Sequence, residues 1–131
     1  MEVRMDLARI VICETRERQL IVLRERNGSR TLHIVIGLTE ALAIDRRLKG
    51  LRTQRPMTHD LLANVIDTLS AELEKIVVND LHEGTFYAQL ILRSHGELVD
   101  VDSRPSDAIA LGVASDVPIY VEDEVLDAAG P

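Results

Sequence analysis

The sequence predicts a single α+β domain over residues 1–131, with mainly antiparallel sheet of about seven strands and three to four helices. Three observations lead there. Short Ile/Val/Leu-rich runs bounded by turn residues recur along the chain, as strands require. Between them lie stretches whose apolar residues repeat at helical spacing, with start and stop signals at their ends. Apolar residues make up 46% of the chain and no linker or low-complexity segment interrupts it, so one core forms, built from Leu, Ile, Val and Ala.

"LARIVIC" (7–13), "QLIVLRE" (19–25) and "TLHIVIG" (31–37) read as a meander of three antiparallel strands. The second and third are joined through Asn27-Gly28, the dipeptide favoured in a two-residue type I′ turn with positive φ at both positions. Thr39 is placed to cap "EALAIDRRLKG", with Glu40 near the start, Arg46, Arg47 and Lys49 near the end, and Gly50 as the stop. A basic link, "LRTQRP", leads to a second helix in which Leu61, Leu62, Val65, Ile66 and Leu69 form one apolar face. "EKIVVNDL" and "TFYAQLILR" form a hairpin around Glu83-Gly84, with Phe86, Ala88, Leu90 and Leu92 on one face of the second strand. "SHGE" turns the chain into "LVDVD". "SDAIALGVAS" is apolar on nearly every side and rich in small residues, which predicts a central, closely packed helix. "VPIYV" is a last strand and "EDEVLDAAGP" a terminal helical turn or two.

Composition bounds the function. No apolar run approaches the roughly 20 residues of a membrane span. The first fifteen residues intersperse charges and lack a continuous apolar region, which predicts a cytoplasmic protein with no membrane association. The single cysteine, Cys13, is expected as a small core residue and excludes an internal disulfide or a Cys-rich zinc site. Net charge is −7, unevenly spread: residues 1–55 hold 12 Arg/Lys against 7 Asp/Glu, and residues 56–131 hold 3 against 15. The acidic half is poor ground for gripping phosphate backbones by charge alone and suits divalent cations better. It also serves simply as a solvated surface.

One phrase occurs twice. "RPMTHDLL" (55–62) and "RPSDAIAL" (104–111) each run Arg-Pro, a hydroxyl residue, an aspartate and an apolar helix. Thr58 and Ser106 read as N-caps, Asp60 and Asp107 as first-turn acids, and Pro56 and Pro105 as stiffeners of the approach. Capping does not account for Arg55 and Arg104, because a cation there faces the positive end of the helix dipole. Each either forms an anion site with free helix amides or pairs with an internal carboxylate, such as the aspartate of the other copy. The two helix starts are expected to lie close together, in one cavity or across a subunit interface. Asp100 and Asp102 share a strand face and Asp107 follows on the next element, oxygen donors suited to Mg²⁺ or Mn²⁺. His59 beside Asp60 is a candidate general base or ligand. No Walker, Rossmann or serine-hydrolase signature is present.

"LHIVIGLTEALAI", "RPMTHDLL", "EGTFYAQLIL", "DSRPSDAIAL" and "PIYV" occur in the order found in the bifunctional nuclease domain family of bacteria and plants, which the chain resembles from about residue 5 to residue 126. The matching positions include Gly37, Glu40, Arg55, Pro56, Thr58, His59, Asp60, Phe86, Asp102, Arg104, Pro105, Ser106 and Asp107. His33 stands where Pro is usual, Glu83 where Asp is common, and Ala114 near a commonly basic position. The resemblance implies an α+β fold and nuclease activity on RNA and DNA.

The reading of residues and resemblance together is a nuclease that hydrolyses phosphodiesters with divalent-metal assistance. His59, Asp60, Arg104 and Asp107 are the catalytic candidates, and Arg55, Arg104, Thr58 and Ser106 the substrate-binding ones. Asp100, Asp102 and Asp107 are the metal candidates, for Mg²⁺ or Mn²⁺. A homo-oligomer, as a dimer, is expected. The alternative is a non-enzymatic anion- or partner-binding regulatory domain.

Overall fold

The computed structural model describes residues 1–130. The elements in chain order are β1 (Glu2–Val11), β2 (Arg18–Glu25), β3 (Thr31–Gly37), α1 (Leu38–Leu48), α2 (Thr58–Thr68), β4 (Ala71–His82), β5 (Thr85–Ser94), β6 (Glu97–Ser103), α3 (Pro105–Gly112), β7 (Ile119–Glu122) and α4 (Asp123–Ala129). A 3-10 turn, Val113–Ser115, follows α3. The strands form one seven-stranded mixed sheet in the order β3-β2-β1-β7-β4-β5-β6.

Two antiparallel units make this sheet, and a parallel β4–β7 pairing, Ile76 opposite Ile119, joins them. β1 is longer than its local pattern suggests. Its first half pairs with β7 and its second half with β2, with a bulge between Leu7 and Arg9. The alternating apolar residues fix which face is inner. Ile21, Leu23, Leu32, Ile34, Ile76, Val78, Ala88, Leu90, Ile119 and Val121 are buried there. α3 lies against this face with Ala108, Ile109, Ala110 and Leu111 at 4% exposure or less, its small residues permitting close approach.

The type I′ geometry expected at Asn27-Gly28 is absent there: neither residue has positive φ. That loop is held instead by Arg30, whose Nη2 lies 3.1 Å from Glu25 and 3.2 Å from Asp123. The tight turns are Glu83-Gly84 and His95-Gly96, where φ is positive at both central residues and glycine carries the second without strain. Cys13 is not a core residue. It lies half-buried in the loop after β1, its Sγ 3.1 Å from Thr15 Oγ1.

The expected caps also move. The extended residues before α1, α2 and α3 are Gly37, Met57 and Arg104, not Thr39, Thr58 and Ser106. Proline fits the first helical position, so Pro105 opens α3 and pushes Ser106 inside it. Pro56 instead precedes the cap of α2, so the two Arg-Pro pairs stand in different registers. The aspartates coincide: Asp60 and Asp107 are both third residues of their helices, as is Glu40 in α1.

α2 departs most from expectation. Ala63 and Ile66 pack on the core, but Leu61, Leu62, Val65 and Leu69 remain 37–66% exposed. Polar links do much of the work of holding this helix. Arg47, in the last turn of α1, donates from Nε to the Ala110 carbonyl at 2.6 Å and from Nη2 to that of Leu111 at 3.1 Å. Its Nη1 pairs with Asp60, which also receives Arg46 at 3.2 Å. Replacing Arg47 with Ala strips two carbonyls and a carboxylate of their partner, and is expected to cost about 3 kcal/mol in urea unfolding. Lys49→Ala, which breaks an exposed pair with Asp45, should change stability by less than ~0.5 kcal/mol.

Candidate functional site

The starts of α2 and α3 meet. His59 Nε2 and Asp107 Oδ1 share a hydrogen bond of 2.9 Å. Arg104, the residue before α3, donates to the other oxygen of Asp107 from Nε at 2.9 Å, and its Nη1 lies 3.5 Å from Glu40 Oε2. A line of alternating charge therefore runs Glu40–Arg104–Asp107–His59 and crosses the first turns of α1, α3 and α2. Burial pushes the Asp107 carboxyl upward, but hydrogen bonds from Arg104 and His59, with the charges behind them, outweigh it and hold the pKa below the ordinary value. Ionised Asp107 only accepts, so His59 donates from Nε2, and in neutral imidazole Nδ1 is left as the unprotonated nitrogen. Asp60 is treated alike: burial raises it, and the Met57 amide with Arg47 and Arg46 lowers it further than that.

The Glu40–Arg104 end of the line borders a cavity of about 520 Å³ whose wall on that side is Glu40, Arg104, Pro105 and Ser106; Asp107 and His59 are not part of its lining. Glu17 and Arg18, the β3 residues 33–37, and Gly84, Thr85 and Phe86 contribute the rest of its wall. β3 and the β4–β5 turn line the same cavity although they stand far apart in strand order, so the sheet curls around it. Gly37 is part of this wall, and a β-carbon there would meet the tip of the Glu40 side chain.

Other sequence candidates separate from this cluster. Asp60 does not support His59; its oxygens are taken by Arg46, Arg47 and the Met57 amide at 3.0 Å. Arg55 and Thr58 are exposed, and the Arg55 guanidinium makes no ion pair among the described residues. Asp100 and Asp102 stand opposite Ile91 and Gln89, whereas Val101 stands opposite the buried Leu90. Both aspartates thus project from the outer face, with Asp100 accepting from Gln89 at 3.3 Å, while Asp107 lies on the inner side with α3. The three expected metal donors do not assemble, and no group of three His, Cys, Asp or Glu side chains suited to a metal occurs among the described residues.

Residues 21–131 match the model of the bifunctional nuclease domain. The chain belongs to the bifunctional nuclease domain family. It is 45% identical over 111 residues to a Mycobacterium tuberculosis protein described as uncharacterized, an alignment that covers 85% of this chain and 66% of the relative. It is 31% identical to bifunctional nuclease 2 of Oryza sativa subsp. japonica, covering 84% of this chain and 35% of that one. With bifunctional nuclease 1 of Arabidopsis thaliana the identity is 29%, over 77% and 32% of the two chains. The chain thus spans just under two thirds of the mycobacterial relative and about a third of the plant ones.

Within this bifunctional nuclease domain, the structure brings the candidates His59, Arg104 and Asp107 together and adds three partners that the motifs do not single out. In the sequence Glu40 stands out as a dipole-matched acid and a family-matching position, and Arg46 and Arg47 as basic residues near a helix end. The signal available was positional, since an acid at the third residue of a helix reaches back over the helix start. No helix in the described chain is long and apolar enough to cross a membrane.

The depressed carboxyl of Asp107 has a pH signature. A lowered folded pKa contributes stability that is complete above the unfolded value, near 3.8, and is lost as pH falls through the folded one. Asp107→Asn should therefore lose less stability than wild type on acidification below pH ~4, measured by thermal melts across that range. Equal acid limbs would contradict the pairing.

Proposed function

We propose that the chain is a nuclease that hydrolyses phosphodiester bonds of RNA and DNA, with Arg104 as phosphate ligand and His59 as general base. The carrying observation is the state of Arg104. A guanidinium has five N–H donors. Asp107 takes two of them, and the side chain is 63% exposed at the cavity mouth beside the first turn of α3. Donors remain for a phosphate, which the helix amides also favour.

In this proposal His59, oriented by Asp107, takes the proton from water as its oxygen bonds to phosphorus. The bond to the leaving oxygen breaks, and that oxygen takes the proton back from the imidazolium. Ser106 contributes its place in the first turn of α3, and Asp60 positions α2 through Arg46 and Arg47. Arg55 and Thr58 would contact substrate only outside the cavity. Mg²⁺ or Mn²⁺ would enter with the substrate phosphates rather than in a protein cage. A cytoplasmic, homo-oligomeric protein belongs to the same proposal.

A second reading has its own support. Arg104 already faces two carboxylates, Asp107 and Glu40, as a residue that only locks the fold or holds a small anion would. The two separate on Arg104→Ala and His59→Ala, purified beside wild type and assayed on single-stranded RNA and DNA with Mg²⁺, Mn²⁺ or EDTA. The nuclease reading expects folded variants and a roughly ten- to hundredfold loss of rate for Arg104→Ala, matching a lost charged contact of about 1.5–3 kcal/mol. Wild type and both variants cleaving at one rate would mark a contaminant and leave the binding reading.

A further inference from the structure

The charged cavity has an uncharged neighbour. His33, Gly84 and Phe86 line both the 520 Å³ cavity and a second one of about 490 Å³, so the two adjoin across these residues. The carboxylates and guanidinium groups, those of Glu17, Arg18, Glu40 and Arg104, all belong to the first. The second is walled chiefly by Leu32, Leu81, Phe86, Ala128 and Ala129, with no Asp, Glu, Lys or Arg in its lining. At the charged end Ser106 is only 5% exposed, and its hydroxyl makes no hydrogen bond among the described residues. Arg18 is exposed there and makes no ion pair among them. The edge strand β3 connects the two ends, since each of residues 31–37 lines one cavity or the other. The Glu25 amide bonds the Arg30 carbonyl, and bonded pairs alternate along an antiparallel ladder. Leu32, Ile34 and Ile36 therefore bond to β2, and the peptide groups of Thr31, His33 and Val35 face the open edge.

We infer that this pair of cavities holds one nucleotide of an unpaired strand, its phosphate on Arg104, Arg18 and the Ser106 hydroxyl and its base in the uncharged cavity against Phe86. The inference rests on the proposed reading of Arg104 as a phosphate ligand and adds the substrate class to it. A free phosphate or a carboxylate needs the charged end alone. A site divided into a charged and an uncharged half suits a ligand divided the same way, and a nucleotide joins an anionic phosphate to a flat, uncharged base. The rim of that base carries hydrogen-bond donors and acceptors, which the free peptide groups of β3 can meet. Face and rim are both accessible only where the strand is unpaired, because a duplex stacks the one and pairs the other. A duplex would also lay its phosphates over Glu17 and Glu40. Aromatic usage agrees. The chain has one Phe and two Tyr. Tyr120 is engaged with Arg4 and Lys75, and Tyr87 alternates with the inward Ala88 onto the outer face of β5. The lone Phe is the aromatic side chain shared by the two cavities.

Fluorescence anisotropy of a labelled oligothymidylate strand, read in EDTA on the whole chain, separates binding from turnover. The competitors are inorganic phosphate, a 5′-phosphorylated dithymidine dinucleotide, and the unlabelled strand alone or annealed to oligoadenylate. The dinucleotide should compete at least about fivefold better than phosphate, as one stacked base contributes. The duplex should compete at least about tenfold worse than the strand it contains, because pairing hides the bases. Phe86→Leu keeps apolar bulk against the core but has no aromatic face. It should melt cooperatively and lose most of the dinucleotide's advantage while phosphate competes as before. Arg18→Ala, an exposed change, should weaken the strand and phosphate alike. A strand that does not bind wild type would overturn the inference. So would phosphate competing as well as the dinucleotide, a duplex competing as well as the strand, or affinity that Arg18→Ala leaves unchanged. Cleavage is scored apart. Selective single-strand binding by a protein that cleaves neither RNA nor DNA would keep this inference and remove the nuclease reading, whereas equal cleavage of duplex and single strand would remove this inference alone.

Discussion

The guanidinium of Arg47 is the contact on which the arrangement of the three site helices depends. α3 is short and almost wholly buried, so its last carbonyls cannot turn to water and need a protein donor. Arg47 supplies it from the last turn of α1, and with its remaining nitrogen holds Asp60 at the start of α2. α2 has no fully buried side chain. Its hydrophobic grip on the core is limited to the partly buried Ala63 and Ile66, so polar links at its first turn set its position. His59 sits in that turn. The distance from His59 to Asp107 is thus controlled from the far end of α1, by a residue that touches neither.

The doubled Arg-Pro phrase has a more specific meaning than two similar helix starts. What repeats in space is the carboxylate at the third helical residue, present in α1, α2 and α3 as Glu40, Asp60 and Asp107. Each has a different second partner. Asp60 bonds the amide of its own cap residue and takes two arginines, Glu40 leans over Gly37 and faces Arg104, and Asp107 divides itself between Arg104 and His59. One local device, an acid folded back over a helix start, becomes a structural clamp in α2 and the centre of a charge line in α3. The cations that reach it make the difference.

Local order was legible in the residues. The β1–β2–β3 meander, the β4–β5 hairpin with Ala88 and Leu90 inward, and the buried small-residue helix all follow from period and turn chemistry. Non-local pairing was not. Glu2–Met5 are strand because β7 pairs with them over a hundred residues later, and nothing nearby announces it. The placement of the acids is non-local in the same way. That Asp100 and Asp102 share a face follows from strand geometry alone, but the face is set by the register that puts Val101 opposite Leu90. The apolar stripe of α2 shows the limit of periodicity, which identifies an amphipathic helix without saying whether its own chain covers it.

Charge pairing limits which cations of this molecule are free to meet an anion. Lys75, Arg93 and Arg104, the cations of the acidic half, all face carboxylates. In the first 55 residues, Arg26, Arg30, Arg46, Arg47 and Lys49 do as well. Among the described residues, Arg4, Arg9, Arg16, Arg18, Arg24, Arg52 and Arg55 are left without one, and Arg4 lies over the Tyr120 ring. With net charge −7, the long-range field opposes a nucleic acid, so any hold on it comes from contacts within about a Debye length, roughly 8–10 Å at moderate salt. Arg18 is the unpaired cation that shares a cavity with Arg104. There a free guanidinium, a partly engaged one and the first turn of α3 converge, beside the carboxylates of Glu17 and Glu40 that line the same cavity.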